Sequence, residues 1–101
     1  MTNSTESSTD KTLNLLGLAY RANKTVLGEQ VLKKIRKVKL LILASDISEK
    51  SRERYLKKCH YYRIDSMEDF NSVELSQALG KENVKVIGIL DEGFKKAILK
   101  K

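Results

Sequence analysis

The feature that most constrains the fold is an uninterrupted aliphatic run, KLLILA, at positions 39–44. The run has the length of a strand, and its apolar residues do not alternate with polar ones, so both faces of that strand should be covered. Helical and extended patterns alternate along the rest of the chain without an internal repeat. Such alternation predicts an α/β protein, a single domain built as a three-layer α/β/α sandwich.

Capping residues mark most of the predicted helix ends. Asp10 is expected to cap a first helix, and Asn23 to end it in the left-handed conformation that glycine usually takes. Ser48 and Asp91 should cap two further helices. A capping box, Asn71 with Glu74, opens a short helix that Gly80 closes. We expect strands at residues 25–27, 39–44, 61–64 and 84–90, the last with a close backbone approach at Gly88, a loop at 65–69 and a disordered tail at 1–10.

The charge balance favours a negatively charged partner. Lys and Arg number 20 against 13 Asp and Glu, a net charge of +7 over 101 residues, and no basic residue precedes position 11. A small folded unit with this excess is typical of a nucleic-acid binder, although a basic surface can also serve solubility alone.

Several function classes are disfavoured by what the chain lacks. Cys59 is the only cysteine and His60 the only histidine, so neither a disulfide within the chain nor a cysteine or histidine metal cluster is expected. Cys59 is expected to be a core or core-edge thiol. No phosphate-loop or dinucleotide glycine fingerprint is present, and no nucleophile is paired with a base. We expect no enzymatic activity, no cofactor and no metal. No apolar run approaches the length of about 18 residues needed for a membrane span, and no hydrophobic signal follows Met1, so a cytoplasmic protein without membrane contact is expected.

A basic helix predicted from about residue 29 to residue 37 is the main candidate for binding. Val31, Ile35 and Val38 form its packing stripe, and Gly28 would let a ligand approach the backbone and the helix N-terminus. The opposite stripe carries cations with almost no acid, plus an amide able to bond base edges, which favours an RNA backbone over a merely solvated face. The residues of that opposite stripe are Gln30, Lys33, Lys34 and Lys37.

Two other residue sets are given structural roles. Acidic residues that follow strands, namely Asp46, Asp91 and Glu92, are more often helix caps than catalytic groups. The aromatic residues show no paired exposed spacing, so binding of a single strand on aromatic shelves is disfavoured and core packing is expected for most of them. Those aromatic residues are Tyr55, Tyr61, Tyr62, Phe70 and Phe94.

Several motifs in order resemble the small bacterial YlxQ-type proteins, within the superfamily of ribosomal proteins "seven-Ae" and "thirty-e". The resemblance covers about residues 12–100. It implies a mixed four-stranded sheet, no catalytic activity, and a kink-turn RNA with tandem sheared G·A pairs as ligand. The segments that carry it are LNLLGLAYRANKTVLGEQ, LLILASDIS, a helix ending KKC, ELSQALGK and GILDEGFKK.

The resemblance also implies site residues. The superfamily motif is a glycine, two variable positions, Glu or Gln, and a Lys three residues later. Counting straight from Gly28 gives Val31 and Lys34, whereas one deleted residue gives Gln30 and Lys33. The second alignment keeps the chemistry, because a valine cannot hydrogen-bond a base. The connection from this helix to the next strand is a few residues shorter than in relatives.

A second RNA-contacting region is implied in the loop before the last strand. The resulting set of RNA-binding residues is Gly28, Glu29, Gln30, Lys33, Lys34, Lys37, Asp46, Lys81, Glu82 and Asn83. The leading hypothesis is a monomeric, non-enzymatic, ribosome-associated binder of ribosomal or regulatory kink-turn RNA. The alternatives are a protein-interaction adaptor in translation and an assistant to an RNA-modifying enzyme, either with only non-specific RNA affinity.

Overall fold

The computed structural model describes residues 8–100. A 3-10 turn, Ile35–Lys37, lies between the second helix and the second strand. The elements in chain order are α1 (Ser8–Arg21), β1 (Thr25–Leu27), α2 (Gln30–Lys33), β2 (Leu40–Leu43), α3 (Glu49–Tyr62), β3 (Asp65–Met67), α4 (Ser72–Leu79), β4 (Val86–Ile89) and α5 (Glu92–Leu99).

The strands form one mixed four-stranded sheet in the order β1-β4-β2-β3. β4 is antiparallel to both β1 and β2, with Leu27 opposite Ile87 and Leu43 opposite Val86. β3 lies parallel to β2 at the edge. The predicted single α/β domain with a mixed sheet is confirmed.

β2 is the buried centre of the molecule, as the aliphatic run predicts. Leu40 and Ile42 belong to one hydrophobic cluster, which α1, α4 and α5 complete. Leu41 and Leu43 face the opposite side and join a second cluster, formed with the α2 segment and α3. Because successive residues of a strand point to opposite faces, one strand joins both halves of the core. The result is three layers.

The first helix begins earlier than predicted. α1 starts at Ser8, so Asp10 lies inside the helix and is not its N-cap. The rest of the predicted tail, residues 1–7, lies outside the described residues. At the other end, Asn23 has φ 61°, which confirms the left-handed position.

The strand predicted at residues 61–64 is wrong. α3 continues through Tyr62, since Tyr55 and Cys59 keep the helical spacing of buried residues. Arg63 then ends the helix in the left-handed conformation, where the sequence offers no glycine signal. The strand follows at Asp65–Met67, within the predicted loop, because an edge strand with exposed Asp65 and Ser66 shows no apolar alternation.

The predicted caps of the later helices are confirmed. The Ser48 hydroxyl accepts a hydrogen bond from the Ser51 N–H at 3.2 Å, and Asp91 accepts one from the Phe94 N–H at 2.9 Å. The capping box at the start of α4 has both of its hydrogen bonds, 2.8 and 2.9 Å long. Gly80 closes α4 with φ 72°. β4, at Val86–Ile89, is shorter than the strand predicted at 84–90.

Asp46 ties the loop after β2 to the start of α4. Its carboxylate accepts hydrogen bonds from the Ser72 N–H at 2.8 Å and from the Ser72 hydroxyl at 2.7 Å. The N–H of a first helical residue has no partner within the helix, so this contact acts as a cap supplied from a distant part of the chain. These hydrogen bonds hold the pKa of Asp46 below its ordinary value. Capping was expected of Asp46, but the helix it caps is α4 and not the nearby α3.

Two glycines sit where neighbouring groups approach closely. A Cβ at Gly88 would lie 3.0 Å from a Val26 methyl and 3.1 Å from a Val38 methyl, so the close approach predicted in β4 is present but is made by side chains and not by backbone. A Cβ at Gly17 would lie 2.7 Å from the Ala78 carbonyl oxygen. That second contact is with backbone, so α1 and α4 can pack at this distance only because residue 17 has no side chain.

Replacing Gly17 by alanine should therefore destabilise the protein. The gain in helix propensity is about 1 kcal/mol, and forcing two packed helices apart costs about 1–3 kcal/mol or more. We expect a net loss of up to about 2 kcal/mol in the free energy of urea unfolding. Asn14→Ala, at an exposed position of the same helix, is the matched control and should leave stability unchanged or slightly raised. Equal behaviour of the two variants would contradict the close-contact explanation.

Replacing Asp46 by alanine should lower the thermal midpoint in a pH-dependent way. The folded-state pKa of Asp46 is depressed, so its stabilisation is present above the unfolded pKa of about 3.9 and is lost as pH falls through the folded value. The difference between parent and variant, measured by circular dichroism, should be largest near neutral pH and narrow below about pH 4. A difference that stays constant down to acid pH would argue against the Ser72 contact as its source.

Candidate nucleic-acid interface

Strand direction brings two separate segments of the predicted site to the same end of the sheet, which we call the Gly28 edge. β1 ends at Leu27 beside the start of β4, so Gly28 follows directly at this edge. The Gly28 N–H donates a hydrogen bond to the Val86 carbonyl oxygen at 3.1 Å. The turn after β1 is thereby held against the chain that enters β4 from the α4–β4 loop.

The backbone at Gly28 is both constrained and open. Its φ of +56° lies in the left-handed region, which favours glycine. Apart from Gly28 itself and its two neighbours in the chain, no heavy atom of residues 8–100 lies within 4 Å of where its Cβ would be. The Gly28 carbonyl then accepts the Val31 N–H at 3.0 Å as the chain turns into α2. The space in front of the Gly28 Cα is therefore open to a ligand.

A groove of about 260 Å³ joins Gly28 to the α4–β4 loop. Its walls carry Lys81, Glu82 and Asn83 from the loop, and Asn83 is itself left-handed with φ 58°. The two segments that the sequence singled out, far apart in the chain, are thus neighbours in the fold.

The continuous basic helix predicted from residue 29 to residue 37 is wrong. α2 comprises only Gln30–Lys33, Lys34 departs from helical geometry with φ −115° and ψ 24°, and the 3-10 turn Ile35–Lys37 follows. A 3-10 turn rises about 2.0 Å per residue against about 1.5 Å in an α-helix, so it lets a short connection span back to the start of β2. A helix of one turn also has little of the macrodipole expected to attract an anion.

The division into a packing side and a charged side nevertheless holds. Val31, Ile35 and Val38 are buried in the second hydrophobic cluster. Val31 is 0 % exposed, which leaves no part of its side chain available to a ligand. The predicted ligand-facing residues of this segment are all exposed, namely Gln30, Lys33, Lys34 and Lys37.

Glu29 is engaged by a residue that the sequence reasoning missed. Each of the two terminal guanidinium nitrogens of Arg54 lies 3.2 Å from one Glu29 carboxylate oxygen. The guanidinium carbon lies 5.9 Å from the centre of the Tyr55 ring. Both partners are more than half exposed, so the pair adds little stability. Its effect is to bring another cation from α3 to the start of α2. The segment EKSRERYLKKC at residues 49–59 carries more basic than acidic residues, but this excess does not say which face of α3 meets α2.

Asp46 also lies at this edge, but both of its oxygens accept hydrogen bonds from Ser72. Its carboxylate is therefore committed to the fold.

Three further features of residues 8–100 bear on function: the cysteine, possible metal ligands and possible membrane-spanning helices. Cys59 is buried, as expected, and burial raises the pKa of its thiol to about 11, which keeps it protonated near neutral pH. Within the described part of the chain, no group of three or more His, Cys, Asp or Glu side chains could hold a metal ion. No helix in this same range is long and apolar enough to cross a membrane.

Comparison with solved structures supports the fold. A protein with unknown function from Bacillus halodurans C aligns with a TM-score of 0.83 at 40% identity, over 87% of this chain and 92% of that one. The Giardia lamblia 15.5kD RNA binding protein aligns with a TM-score of 0.74 at 17% identity, over 90% and 81% of the two chains.

Comparison of sequences gives the family. The RNA-binding protein YlxQ of Enterococcus faecium is 39% identical over 94 residues, 90% of each chain. The RNA-binding protein YlxQ of Bacillus subtilis (strain 168) is 39% identical over 83 residues, 79% of this chain and 83% of its own. The model of the Ribosomal protein L7Ae/L30e/S12e/Gadd45 family matches residues 10–99. The chain therefore belongs to this family, as a YlxQ-type member.

Proposed function

We propose that the protein is a non-enzymatic RNA-binding protein and that its ligand is a structured RNA. The observation that carries the proposal is the single groove shared by the open Gly28 backbone and the loop residues Lys81 and Asn83. Two relatives at 39% identity bear the name RNA-binding protein YlxQ. A net charge of +7 supports the same ligand class, since phosphate contacts supply most of the affinity of such proteins.

The exposed lysines next to Gly28 would hold the phosphate backbone. Lys33 and Lys34 lie at the end of the one-turn helix that follows Gly28, and Lys37 ends the 3-10 turn. No acidic residue stands among positions 30–39 to offset them. On the other wall, Lys81 would meet phosphate from the loop. Because Gly28 presents bare backbone, the RNA can lie close to the chain between these two sets of cations.

The specific ligand that we propose is a kink-turn with tandem sheared G·A pairs. Gln30 carries an amide that both donates and accepts, so it can bond the exposed edges of such pairs. It is exposed directly after the turn at Gly28 and Glu29, whereas Val31 is fully buried. This burial favours the gapped alignment, with Gln30 and Lys33 at the motif positions, over the straight count.

Membership of a family of ribosomal proteins supports the setting that we propose. We place the RNA among ribosomal or regulatory RNAs of the cytoplasm, with the protein bound as a monomer and associated with the ribosome.

Gln30→Ala should weaken binding to a kink-turn RNA by about 1–3 kcal/mol, because the amide is expected to read base edges. Binding to the same RNA with its G·A pairs replaced by Watson–Crick pairs should hardly change. The measurement is fluorescence anisotropy with both RNAs at physiological salt.

Asn14→Ala removes an exposed amide from the opposite helical layer and is the matched control for Gln30. Parental affinity of Gln30→Ala for the kink-turn would refute the assignment to Gln30. Equal affinity of the parent for both RNAs would refute kink-turn specificity and favour an adaptor that binds a protein.

Lys33→Ala should weaken binding to the kink-turn RNA and to its Watson–Crick counterpart to a similar degree. A lysine that contacts phosphate carries no sequence information, and its loss should reduce the slope of log K against log salt by about 1. A salt series with the parent, Lys33→Ala and the remote exposed control Lys11→Ala tests this. An unchanged slope, or an equal change in the control, would show that Lys33 makes no phosphate contact.

A further inference from the structure

A second groove lies at the end of the sheet opposite Gly28, where β2 and β3 begin. There Leu40 is paired with Asp65, and Ile89 ends β4. The cavity has a volume of about 440 Å³ and is formed by the 3-10 turn, the end of α3 and one residue of α5. We name it the basic groove; its lining is Ile35, Arg36, Val38, Lys39, Tyr62, Arg63, Ile64 and Lys95.

The lining of the basic groove is strongly cationic. Among the described residues that line it, four carry basic side chains and none carries a carboxylate. Lys95 is paired with Asp65 at 3.3 Å. Arg36, Lys39 and Arg63 make no ion pair with any residue in the described range 8–100 and are exposed. Three uncompensated cations around one cavity fit an anionic ligand.

An exposed aromatic ring stands next to these cations. Tyr61 is 76% exposed, unlike the buried Tyr55 and Phe70. It lines an adjacent depression that shares Arg63 and Ile64 with the basic groove. Its ring packs edge-to-face on Tyr62 with 4.8 Å between ring centres, a contact that restrains its orientation. An exposed, restrained ring beside arginine is suited to stacking on a nucleobase.

The basic groove is also connected to the first site by exposed cations. The chain crosses one face of the sheet between residues 30 and 39, from the Gly28 edge to the start of β2. A strand of RNA could follow this path without meeting an acidic side chain of that segment. The exposed basic residues along it are Lys33, Lys34, Arg36, Lys37 and Lys39.

The low exposure of the aliphatic residues that line the basic groove favours a nucleic acid over an acidic peptide. Of the three aliphatic residues in the lining, Ile35 and Val38 are only 7% and 4% exposed and Ile64 is half-buried. Peptide binding sites depend on apolar pockets that receive an anchoring side chain, and here little aliphatic surface is available for one. Phosphate charge and base stacking remain as the main sources of affinity.

We propose that the basic groove binds a single-stranded segment that extends from the structured RNA held at Gly28, with Arg36 and Lys39 on its phosphates and Tyr61 stacked on a base. The inference deepens the proposed function and rests on it for the identity of the RNA. The groove itself can be tested with single-stranded RNA alone.

The test compares three labelled RNAs by fluorescence anisotropy at physiological salt. They are a blunt kink-turn duplex, the same duplex extended at its 3′ end by about ten uridines, and a free oligouridine of that length. The proteins are the parent, Arg36→Glu/Lys39→Glu, Tyr61→Ala, and Lys11→Glu/Lys24→Glu. The last is a control with the same charge change at exposed positions outside the basic groove and outside residues 30–39.

We expect the extension to tighten parental binding by about tenfold, a factor typical of one stacked base with its phosphates. Arg36→Glu/Lys39→Glu should abolish this gain and Tyr61→Ala should reduce it, while the control keeps it. Retention of the gain in Arg36→Glu/Lys39→Glu, or its equal loss in the control, would overturn the proposal. So would groove-dependent binding of an acidic peptide in place of oligouridine.

The design separates the two proposals. Groove-dependent binding of oligouridine by a protein that does not prefer the kink-turn would refute kink-turn specificity and support the groove. Kink-turn binding that is indifferent to the extension would support the first site and refute the groove.

Discussion

Burial of both faces of β2 is the constraint on which the rest of the structure depends. A strand of aliphatic residues, Leu40–Leu43, cannot leave either face in water, so helices must cover both. α1, α4 and α5 cover the face of Leu40 and Ile42, and the α2 segment with α3 covers the face of Leu41 and Leu43. The three-layer arrangement therefore follows from this one strand.

The candidate site is a consequence of how the strands run. β1 ends and β4 begins at the same edge, so the turn at Gly28 and the loop at 81–83 meet there although they are far apart in the chain. Loops at a sheet edge can carry ligand contacts because the packed strands behind them hold them in place. Asp46 adds to this rigidity by fastening the loop after β2 to α4.

The segment between β1 and β2 shows how packing in the core sets the local backbone conformation. The segment must bury Val31, Ile35 and Val38 and also reach the far end of the sheet in few residues. A one-turn helix followed by a 3-10 turn meets both demands, because the 3-10 turn rises further per residue than an α-helix. The lysines between the buried positions are consequently spread along the whole face. This spread links the Gly28 edge to the basic groove at Arg36 and Lys39.

The sequence by itself determined the fold class, the central strand, the caps of α3, α4 and α5, and the division of residues 30–38 into buried and exposed positions. These features depend on periodicity and on contacts between residues three or four apart, which are visible in a linear string. Only the tertiary structure decided the break at Lys34, the extension of α3 through Tyr62, the Asp46–Ser72 and Glu29–Arg54 contacts, and the meeting of Gly28 with the α4–β4 loop. Each of these depends on which elements lie side by side and how far the chain must travel between them, and no local pattern carries that information.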